Sequence, residues 1–288
     1  MRKIAKYRHP ALILGMAANG LGVARSLGRK GIRVYGMDIE EEKRSNRIAF
    51  ASRFCEKISI PPLAEKNGIA EFLLSALDGF IETPVLLPTS DFFAKITAKH
   101  FGELKRKCLT YRQTGEWNGD ATDKELQIEH AMRMGIPVPR TLFLSSAEEL
   151  SFSAPEIPYP AILKGTDSTE WAGYLKRGKG LVVESPRDLP YAIEKAKAFP
   201  GKIMVQEVIP GGDSNLYEYC TLMNRQKERV ASFSVQKIRQ YPCRFGVGTV
   251  VVSRFNGDIE EMGATYFRTM GLSGIGQIEF KYDERDRL

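Results

Sequence analysis

Two lysines stand at positions where an anion would suit them. Lys124 is predicted to begin the helix "DKELQIEHAMRMG", although the free N–H groups at a helix N-terminus disfavour a cation. Lys164 ends the apolar strand "AILKG", and an ammonium that points inward from a strand end needs a partner. Phosphate is such a partner, because lysine acts toward it as a compact point charge. The alternative for each lysine is a surface position with its charge in water.

The stretch "MVQEVIPGGDSN", residues 204–215, changes character halfway. An apolar strand stops at Ile209-Pro210, and two glycines and an acid follow. If a nucleotide base lies against this strand end, the C=O of Gln206 can accept from an exocyclic amine and the N–H of Ile209 can donate to a ring nitrogen. Asp213 is then placed to accept from two ribose hydroxyls. The alternative is a plain hairpin connection. We call residues 206–213 the hinge.

A third candidate is the carboxylate in "GQIEFKYD". This segment predicts a strand that buries Glu279 between Ile278 and Phe280. Because side chains alternate between the faces of a strand, Glu279 shares a face with Gln277 and Lys281. A carboxylate on a sheet beside a polyphosphate is a natural Mg²⁺ ligand, since hard cations prefer oxygen. A solvated sheet face is the alternative.

Two glycine-containing loops have open interpretations. "GMAANGLG" places Gly15, Gly20 and Gly22 between a strand and a helix, and Asp38 ends the next strand. This pattern fits a tight turn, a nicotinamide-dinucleotide site or a substrate-facing loop. The segment at 165–180, "GTDSTEWAGYLKRGKG", is predicted to be a loop between two strands. Such a loop can fold over phosphates, or it can be a long hairpin connection.

Composition excludes several classes of protein. The chain has 288 residues, 43% hydrophobic and 27% charged, which is ordinary for a soluble globular protein. The net charge is +7, but lysines and arginines are interleaved with acids, which favours a solvated surface over a nucleic-acid interface. No apolar run approaches the roughly 18–20 residues of a membrane span. The 4 cysteines and 3 histidines are dispersed, so neither a disulfide framework nor a thiolate metal site is expected, and the cytoplasm is the expected compartment.

The order of predicted elements divides the chain in two. Over residues 10–100 strands alternate with helices, which indicates a parallel sheet with right-handed crossovers. From residue 203 onward the sequence is mostly strand, with one helix between residues 259 and 271, which indicates an α+β arrangement with an antiparallel sheet. We therefore place the main boundary near residues 110–120 and a smaller subdomain at about 140–207.

Taken in chain order, these segments resemble the ATP-grasp superfamily of carboxylate–amine ligases. The resemblance covers nearly the whole chain, from "LILGMAANGLGVARSLGRKGIRVYGMD" through "LLPTSD", "DKELQIEHAMRMGIPVPRTLF", "YPAILKG" and "VQEVIPGGDS" to "GIGQIEF". It implies an α/β and α+β protein. A Rossmann-like domain would occupy residues 1–115 and an ATP-grasp domain residues 116–288, with a small lid subdomain at about 140–207 and an antiparallel-sheet subdomain after it.

The resemblance also implies cofactors and site residues. The two lysines near the start of the ATP-grasp domain would contact phosphates, the hinge would frame adenine and hold the ribose, and a further lysine in "SVQKIRQ" would contact phosphate or substrate. The implied cofactors are ATP and Mg²⁺. The expected ATP-binding residues are Lys124, Lys164, Gln206, Glu207, Ile209, Asp213 and Lys237, and the expected magnesium ligand is Glu279.

The implied chemistry joins a small-molecule carboxylate to an amine or a thiol, with ATP first converting the acid, which could be an amino acid, to an acyl phosphate. The family pattern requires a second acidic strand, roughly Glu-x-Asn, after "IEFKYD", and the sequence given ends at Leu288. We therefore expect an incomplete C-terminal end, and ATP binding without appreciable ligase or ATPase turnover. The alternatives are a nucleotide-binding module without catalysis and a Rossmann oxidoreductase using NAD(P). No nucleic-acid or membrane partner is expected, and a homodimer stays open.

Overall fold

The computed structural model describes residues 7–40, 47–62, 66–111, 123–153, 156–175, 180–285 and 287–288. The chain divides into two compact units, Met1–Arg112 and Gln113–Leu288. The domain limits predicted from the sequence, 1–115 and 116–288, fall beside this division, in a stretch (112–122) outside the described residues. Those limits stay a prediction.

The first unit contains a parallel sheet. Its described elements, in chain order, are β1 Ala11–Leu14, α1 Ala18–Arg29, β2 Val34–Ile39, a 3₁₀ turn at Ile48–Ala51, β3 Cys55–Ile60, α2 Lys66–Asp78, β4 Val85–Pro88, α3 Asp91–Lys99 and α4 Phe101–Leu104. The strand order is β3-β2-β1-β4, and all three pairings are parallel. The central strand β1 is apolar at every position because its side chains enter a buried cluster on each face of the sheet.

The second unit contains two antiparallel sheets. Its described elements are α5 Lys124–Arg133, β5 Thr141–Leu144, α6 Leu150–Ser153, β6 Ala161–Gly165, α7 Ser168–Leu175, β7 Leu181–Val183, a 3₁₀ turn at Pro186–Asp188, α8 Leu189–Ala196, β8 Ile203–Glu207, a 3₁₀ turn at Asp213–Asn215, β9 Leu216–Met223, β10 Arg229–Tyr241, β11 Val247–Ser253, α9 Gly257–Met270 and β12 Gly274–Lys281. The small sheet has the order β5-β8-β6-β7, and the large sheet has the order β11-β10-β9-β12.

The large sheet has one covered face and one open face. Helix α9 begins after Asn256, whose side chain accepts from the N–H of Ile259 at 3.2 Å, and it ends at Gly271, whose φ of 74° is the left-handed conformation that glycine adopts at low cost. Its apolar side packs against β9, β10 and β12. On β12 the covered face takes Gly276, Ile278 and Phe280, so Gln277 and Glu279 lie on the open face.

Helix α7 corrects one expectation. The segment at 165–180 is predicted to be a loop, but residues Ser168–Leu175 form a helix. Asp167 accepts from the N–H of Glu170 at 3.0 Å, which is a helix-capping contact, and Trp171 on this helix is only 1% exposed. A Cβ on Gly165 would lie 2.9 Å from the Cβ of Trp171, so this glycine is required by core packing. The part of this segment that the structure describes does not support a flexible phosphate-covering loop.

The mixed α/β architecture with several sheets confirms the predicted fold class at this coarse level. The sequence prediction did not include helices α3 and α4 or strand β5. In the described residues, no helix is both long enough and apolar enough to cross a membrane.

Candidate functional site

Two candidate residues meet on the small sheet. Lys164 lies on β6 and Gln206 on the adjacent strand β8, where Gln206 is paired with Ile162. The ammonium of Lys164 donates to Oε1 of Gln206 at 2.9 Å, and Nε2 of Gln206 donates to Oγ1 of Thr141 at 3.1 Å. The amide therefore has a fixed orientation, with its oxygen toward the lysine.

The hinge begins where β8 leaves the small sheet. The N–H of Glu207 donates to the carbonyl of Arg140 at 2.8 Å, and the Glu207 carboxylate accepts from the N–H of Arg140 at 3.2 Å. The carbonyl of Ile209 accepts from Nζ of Lys281 at 2.6 Å. Gly211 follows with a φ of 106°, which a residue with a side chain rarely adopts. The hinge is thus held at both ends of a sharp bend.

Asp213 is held as an anion beyond the bend. Its Oδ2 accepts from the backbone N–H of Gln240 at 2.9 Å, and its Oδ1 accepts from Nε2 of the same residue at 2.9 Å. These hydrogen bonds, chiefly the one from the Gln240 side chain, hold the pKa of Asp213 below its usual range. Since a carboxylate oxygen has two lone pairs, each oxygen keeps capacity for a further donor such as a hydroxyl.

Three strands of the large sheet bring together a charged cluster, which we define as Lys237 on β10, Glu218 on β9 and Glu279 on β12. Glu218 and Glu279 are directly opposite each other across neighbouring strands. Nζ of Lys237 pairs with Glu218 at 3.0 Å and also with Glu279. Burial disfavours the charge on Lys237, but the two carboxylates outweigh that effect and raise its pKa.

The exposure of the cluster corrects a second expectation. Glu279 is predicted to be buried, but its side chain is 48% exposed, whereas the side chains of Glu218 and Lys237 are 17% and 5% exposed. The reason is the register of β12, which turns Phe280 toward α9 and Glu279 toward the open face. The buried charge in this region is the lysine, and the carboxylates lie above it.

The open face offers oxygen donors of the kind that Mg²⁺ takes. Mg²⁺ is usually held by one or two carboxylates, with phosphate oxygens and water completing the shell. Glu279 and Glu218 can supply those carboxylates, and they leave the cluster with an excess of one negative charge. No group of three or more His, Cys, Asp or Glu side chains suited to a metal occurs among the described residues. The donor set fits a shared metal–phosphate site better than an all-protein cage.

Lys124 comes from a third element. It is the first residue of α5, and Asp123 before it accepts from the N–H groups of Glu125 and Leu126 at 2.9 and 3.4 Å. Asp123 offsets the unfavourable position of a cation at this helix end. The placement of Lys124 beside a phosphate stays a prediction.

Sequence reasoning overlooked Glu218 and Lys281 as site residues. Lys281 shares a face with Glu279, and this alternation was the available signal. Glu218 sits in "LYEYC", where one acid among aromatic residues has no local signal of a site. Its importance arises from the pairing of β9 with β12, which brings together residues 61 positions apart.

The glycine-containing segment after β1 has a structural explanation. Asp38 accepts from the N–H of Met16 at 2.7 Å and from that of Ile39 at 2.8 Å, so each of its carboxylate oxygens already accepts a hydrogen bond from the backbone. A Cβ on Gly20 would lie 2.2 Å from the carbonyl of Gly15. Among the three interpretations, this geometry favours a tight strand-to-helix turn over a dinucleotide site.

Comparison with known proteins gives structural likeness only. No family model matches the sequence, and no curated protein matches it. The ADP complex of an N5-carboxyaminoimidazole ribonucleotide synthetase is 15% identical, with 100% of this chain and 70% of that chain covered and a TM-score of 0.67. The corresponding Aspergillus clavatus enzyme, in complex with ADP and 5-aminoimidazole ribonucleotide, is 15% identical, with coverage of 97% and 68% and a TM-score of 0.64.

A third similar structure is the biotin carboxylase domain of the Hydrogenobacter thermophilus 2-oxoglutarate carboxylase, a dimer in complex with MgADP, ADP and bicarbonate. It is 17% identical, with 98% of this chain and 63% of that chain covered and a TM-score of 0.66. At these identities the likeness shows the fold alone. The resemblance that the sequence motifs predict is confirmed at that level: the chain has the fold of the ATP-grasp ligases.

Proposed function

We propose that the protein is an ATP-dependent carboxylate–amine ligase that uses Mg²⁺ and forms an acyl-phosphate intermediate. The observation that carries the proposal is the charged cluster on the open face of the large sheet. Strand β12, which supplies Glu279 to this cluster, also contacts the hinge through Lys281. A hinge, an ionised acid and a carboxylate pair are the parts that a magnesium nucleotide requires. Solved proteins of the same fold hold ADP or MgADP, which supports this assignment.

In this proposal the hinge binds the nucleoside. The backbone C=O of Gln206 accepts from the adenine amine with the lone pair that its pairing with Ile162 leaves available, and the N–H of Ile209 donates to a ring nitrogen. Glu207 holds the strand end through Arg140. Asp213 accepts from the ribose hydroxyls with the lone pairs that Gln240 leaves available. The first unit serves as a Rossmann-like domain, and the region of about 140–207 serves as the lid.

The lysines bind and orient the phosphates. Lys164, whose ammonium is oriented by the neutral amide of Gln206, offers its positive charge to the phosphate chain, and Lys124 contributes a second contact. Lys237 holds the two carboxylates at a fixed separation and contacts the transferred phosphate or the acid substrate. Glu279, with Glu218 beside it, would hold Mg²⁺, which when bound neutralises charge on the transferred phosphoryl group.

The reaction class follows from these roles. An oxygen of the substrate carboxylate attacks the γ-phosphorus, the bond to the bridging oxygen breaks, and ADP leaves with that electron pair. The amine then attacks the acyl carbon, phosphate leaves, and a proton is lost from nitrogen, so an amide forms. The protein contributes positioning and charge neutralisation, which are the main sources of catalysis in phosphoryl transfer.

A nucleotide-binding module without turnover is the second candidate. It is favoured by the same ion pairs, because Lys237 already neutralises part of the carboxylate charge that a metal would require. The two candidates share nucleotide binding and differ in phosphate release.

Two measurements test the proposal in sequence. Calorimetric titration should show binding of ADP and of a non-hydrolysable ATP analogue with Mg²⁺, and weaker or absent binding of NAD. Tighter binding of NAD would contradict the nucleotide assignment. Phosphate release is then measured with mixtures of candidate amino acids and amines: a ligase releases phosphate and a binding module does not. Phosphate release without any acid present would contradict the ligase chemistry.

A further inference from the structure

We propose that Lys281 is a positioning residue that fixes the nucleotide hinge to the strand carrying Glu279, and so sets the preference for adenine. The inference rests on the proposed function, because the hinge acquires this role only if a nucleotide binds there. It goes beyond that function by naming the contact that determines which base is accepted.

The contact joins two different sheets. Lys281 is the last residue of β12 in the large sheet, and Ile209 lies two residues after β8 of the small sheet. The ammonium of Lys281 donates to the carbonyl of Ile209 at 2.6 Å, within the short range expected for a charged donor. Because Lys281 and Glu279 are two positions apart on one strand, the same strand reaches both the hinge and the carboxylate pair.

The hinge needs such a restraint for a physical reason. Pro210 follows Ile209 and removes a backbone donor, and Gly211 and Gly212 then give the chain wide conformational freedom. The N–H of Ile209 can select a ring nitrogen only if the backbone at this residue is held in one orientation. Fixing the carbonyl of the same residue limits the movement of the backbone that carries this N–H. The restraint therefore acts on the base-recognising group without contacting the base.

The surroundings of Lys281 keep its ammonium close to the hinge. The residue is half-buried, and the negative charge of Asp213 acts on its ammonium. Asp213 is the proposed ribose acceptor and is itself held by Gln240. An ammonium between a hinge carbonyl and this carboxylate is stabilised where it lies, so the contact with Ile209 is a lasting feature of the fold.

The test compares two nucleotides that differ only at the base edge that the hinge reads. Inosine 5′-diphosphate carries a carbonyl where ADP carries the amine, so it meets the C=O of Gln206 with an acceptor instead of a donor. Affinities of both would be measured calorimetrically for the 288-residue chain and for Lys281→Met, which keeps most of the length of the side chain but removes its charge and donors. Lys197→Met is the matched control, since Lys197, the residue that follows helix α8, pairs with Glu194 at 2.6 Å and is exposed.

We expect Lys281→Met to weaken ADP binding about tenfold and inosine diphosphate binding much less, so that the preference for ADP largely disappears. Lys281→Arg should restore part of the preference, and Lys197→Met should leave both affinities unchanged. An equal loss for both nucleotides would overturn the inference, because it would place Lys281 on the ribose or phosphates. Unchanged affinities for Lys281→Met would overturn it as well.

Two further outcomes keep the inference separate from the function. If the unaltered chain binds neither nucleotide, the proposed function fails and the inference with it. If the unaltered chain prefers ADP and the variant does too, the inference alone fails. Should Lys281→Met not fold, as judged by thermal unfolding, Lys281→Leu provides the same comparison with a shorter side chain that also has no charge and no donor.

Discussion

The two sheets of the second unit each present a lysine, and they hold it in different ways. On the small sheet, Lys164 is oriented by the neutral amide oxygen of Gln206. On the large sheet, Lys237 is almost fully buried and pairs with the carboxylates of Glu218 and Glu279. Both lysines are proposed to contact phosphate or substrate. Lys237 also neutralises charge that the protein itself places on the sheet.

This difference separates a ligand-binding role from a structural one. Removing the ammonium of Lys164 leaves an amide, which is neutral and tolerates the loss. Removing that of Lys237 leaves two carboxylates directly opposite each other on neighbouring strands, and like charges in that position destabilise a sheet. The two substitutions should therefore differ in stability even where they both reduce nucleotide binding.

The largest expected effect is that of Lys237→Met. We expect it to lower the free energy of unfolding by about 2 kcal/mol and to abolish turnover. The loss of stability is smaller than for a fully buried ion pair because Glu279 is half-exposed. Chemical denaturation and phosphate release would measure the two effects. Adding Glu218→Gln to Lys237→Met should recover part of the lost stability but not the turnover. A double variant less stable than the single one would show that the carboxylates do not repel each other.

Lys164→Met comes next. We expect ADP affinity to fall roughly tenfold to a hundredfold, as for the loss of one charged contact to phosphate, with a change in unfolding free energy below about 1 kcal/mol. Calorimetry and denaturation on the same samples would check both values, with Lys197→Met as the control. A loss of stability as large as that of Lys237→Met would contradict the comparison between the two sheets.

The sequence predicted the segments that carry the hinge, Lys164 and Lys124, but it did not predict the charged cluster. The hinge, the strand that ends near Lys164 and the start of α5 each depend on a few neighbouring residues, and local chemistry predicts them. The pairing of Lys237 with Glu218 depends on the order β10-β9-β12, which is set by contacts between distant segments. No local pattern specifies that order.

The two corrected expectations have the same origin. Glu279 was predicted to be buried because its neighbours are apolar, but α9 covers only the face that takes Phe280. The segment at 165–180 was predicted to be a loop because it is polar and contains glycines, but Trp171 packs against Phe199 with ring centroids 4.9 Å apart and makes part of it helical. In both cases tertiary packing determined the outcome.

Glu279→Gln tests which carboxylate a metal uses. We expect ADP to bind the variant about as well as the unaltered chain without metal, because Lys237 then remains paired with Glu218 at 3.0 Å. The gain in affinity on adding Mg²⁺ should fall about tenfold, since a neutral amide is a poorer magnesium ligand than a carboxylate. Titrations with and without Mg²⁺ would measure this. A gain equal to that of the unaltered chain would assign the metal to another group.

The smallest expected effect concerns pH and the covered side of the large sheet. His130 on α5 is only 5% exposed, and its Nε2 lies 3.2 Å from the carbonyl of Tyr266 and 3.1 Å from Oγ1 of Thr269, both on α9. Because a carbonyl only accepts, this nitrogen carries the proton. Burial disfavours the imidazolium and lowers the pKa of His130, against the opposing effect of the Tyr266 carbonyl.

The sign of the pH dependence follows from that direction. The unfolded chain binds a proton at His130 near the ordinary value of about 6.5, whereas the folded chain resists protonation until a lower pH. The stability that neutral His130 contributes is therefore fully present above about pH 6.5 and is lost as pH falls through the folded pKa. His130→Gln, which keeps a donor but cannot titrate, should flatten the fall in unfolding free energy between about pH 7 and 5. An unchanged fall in His130→Gln would assign the pH dependence to groups other than the contact between α5 and α9.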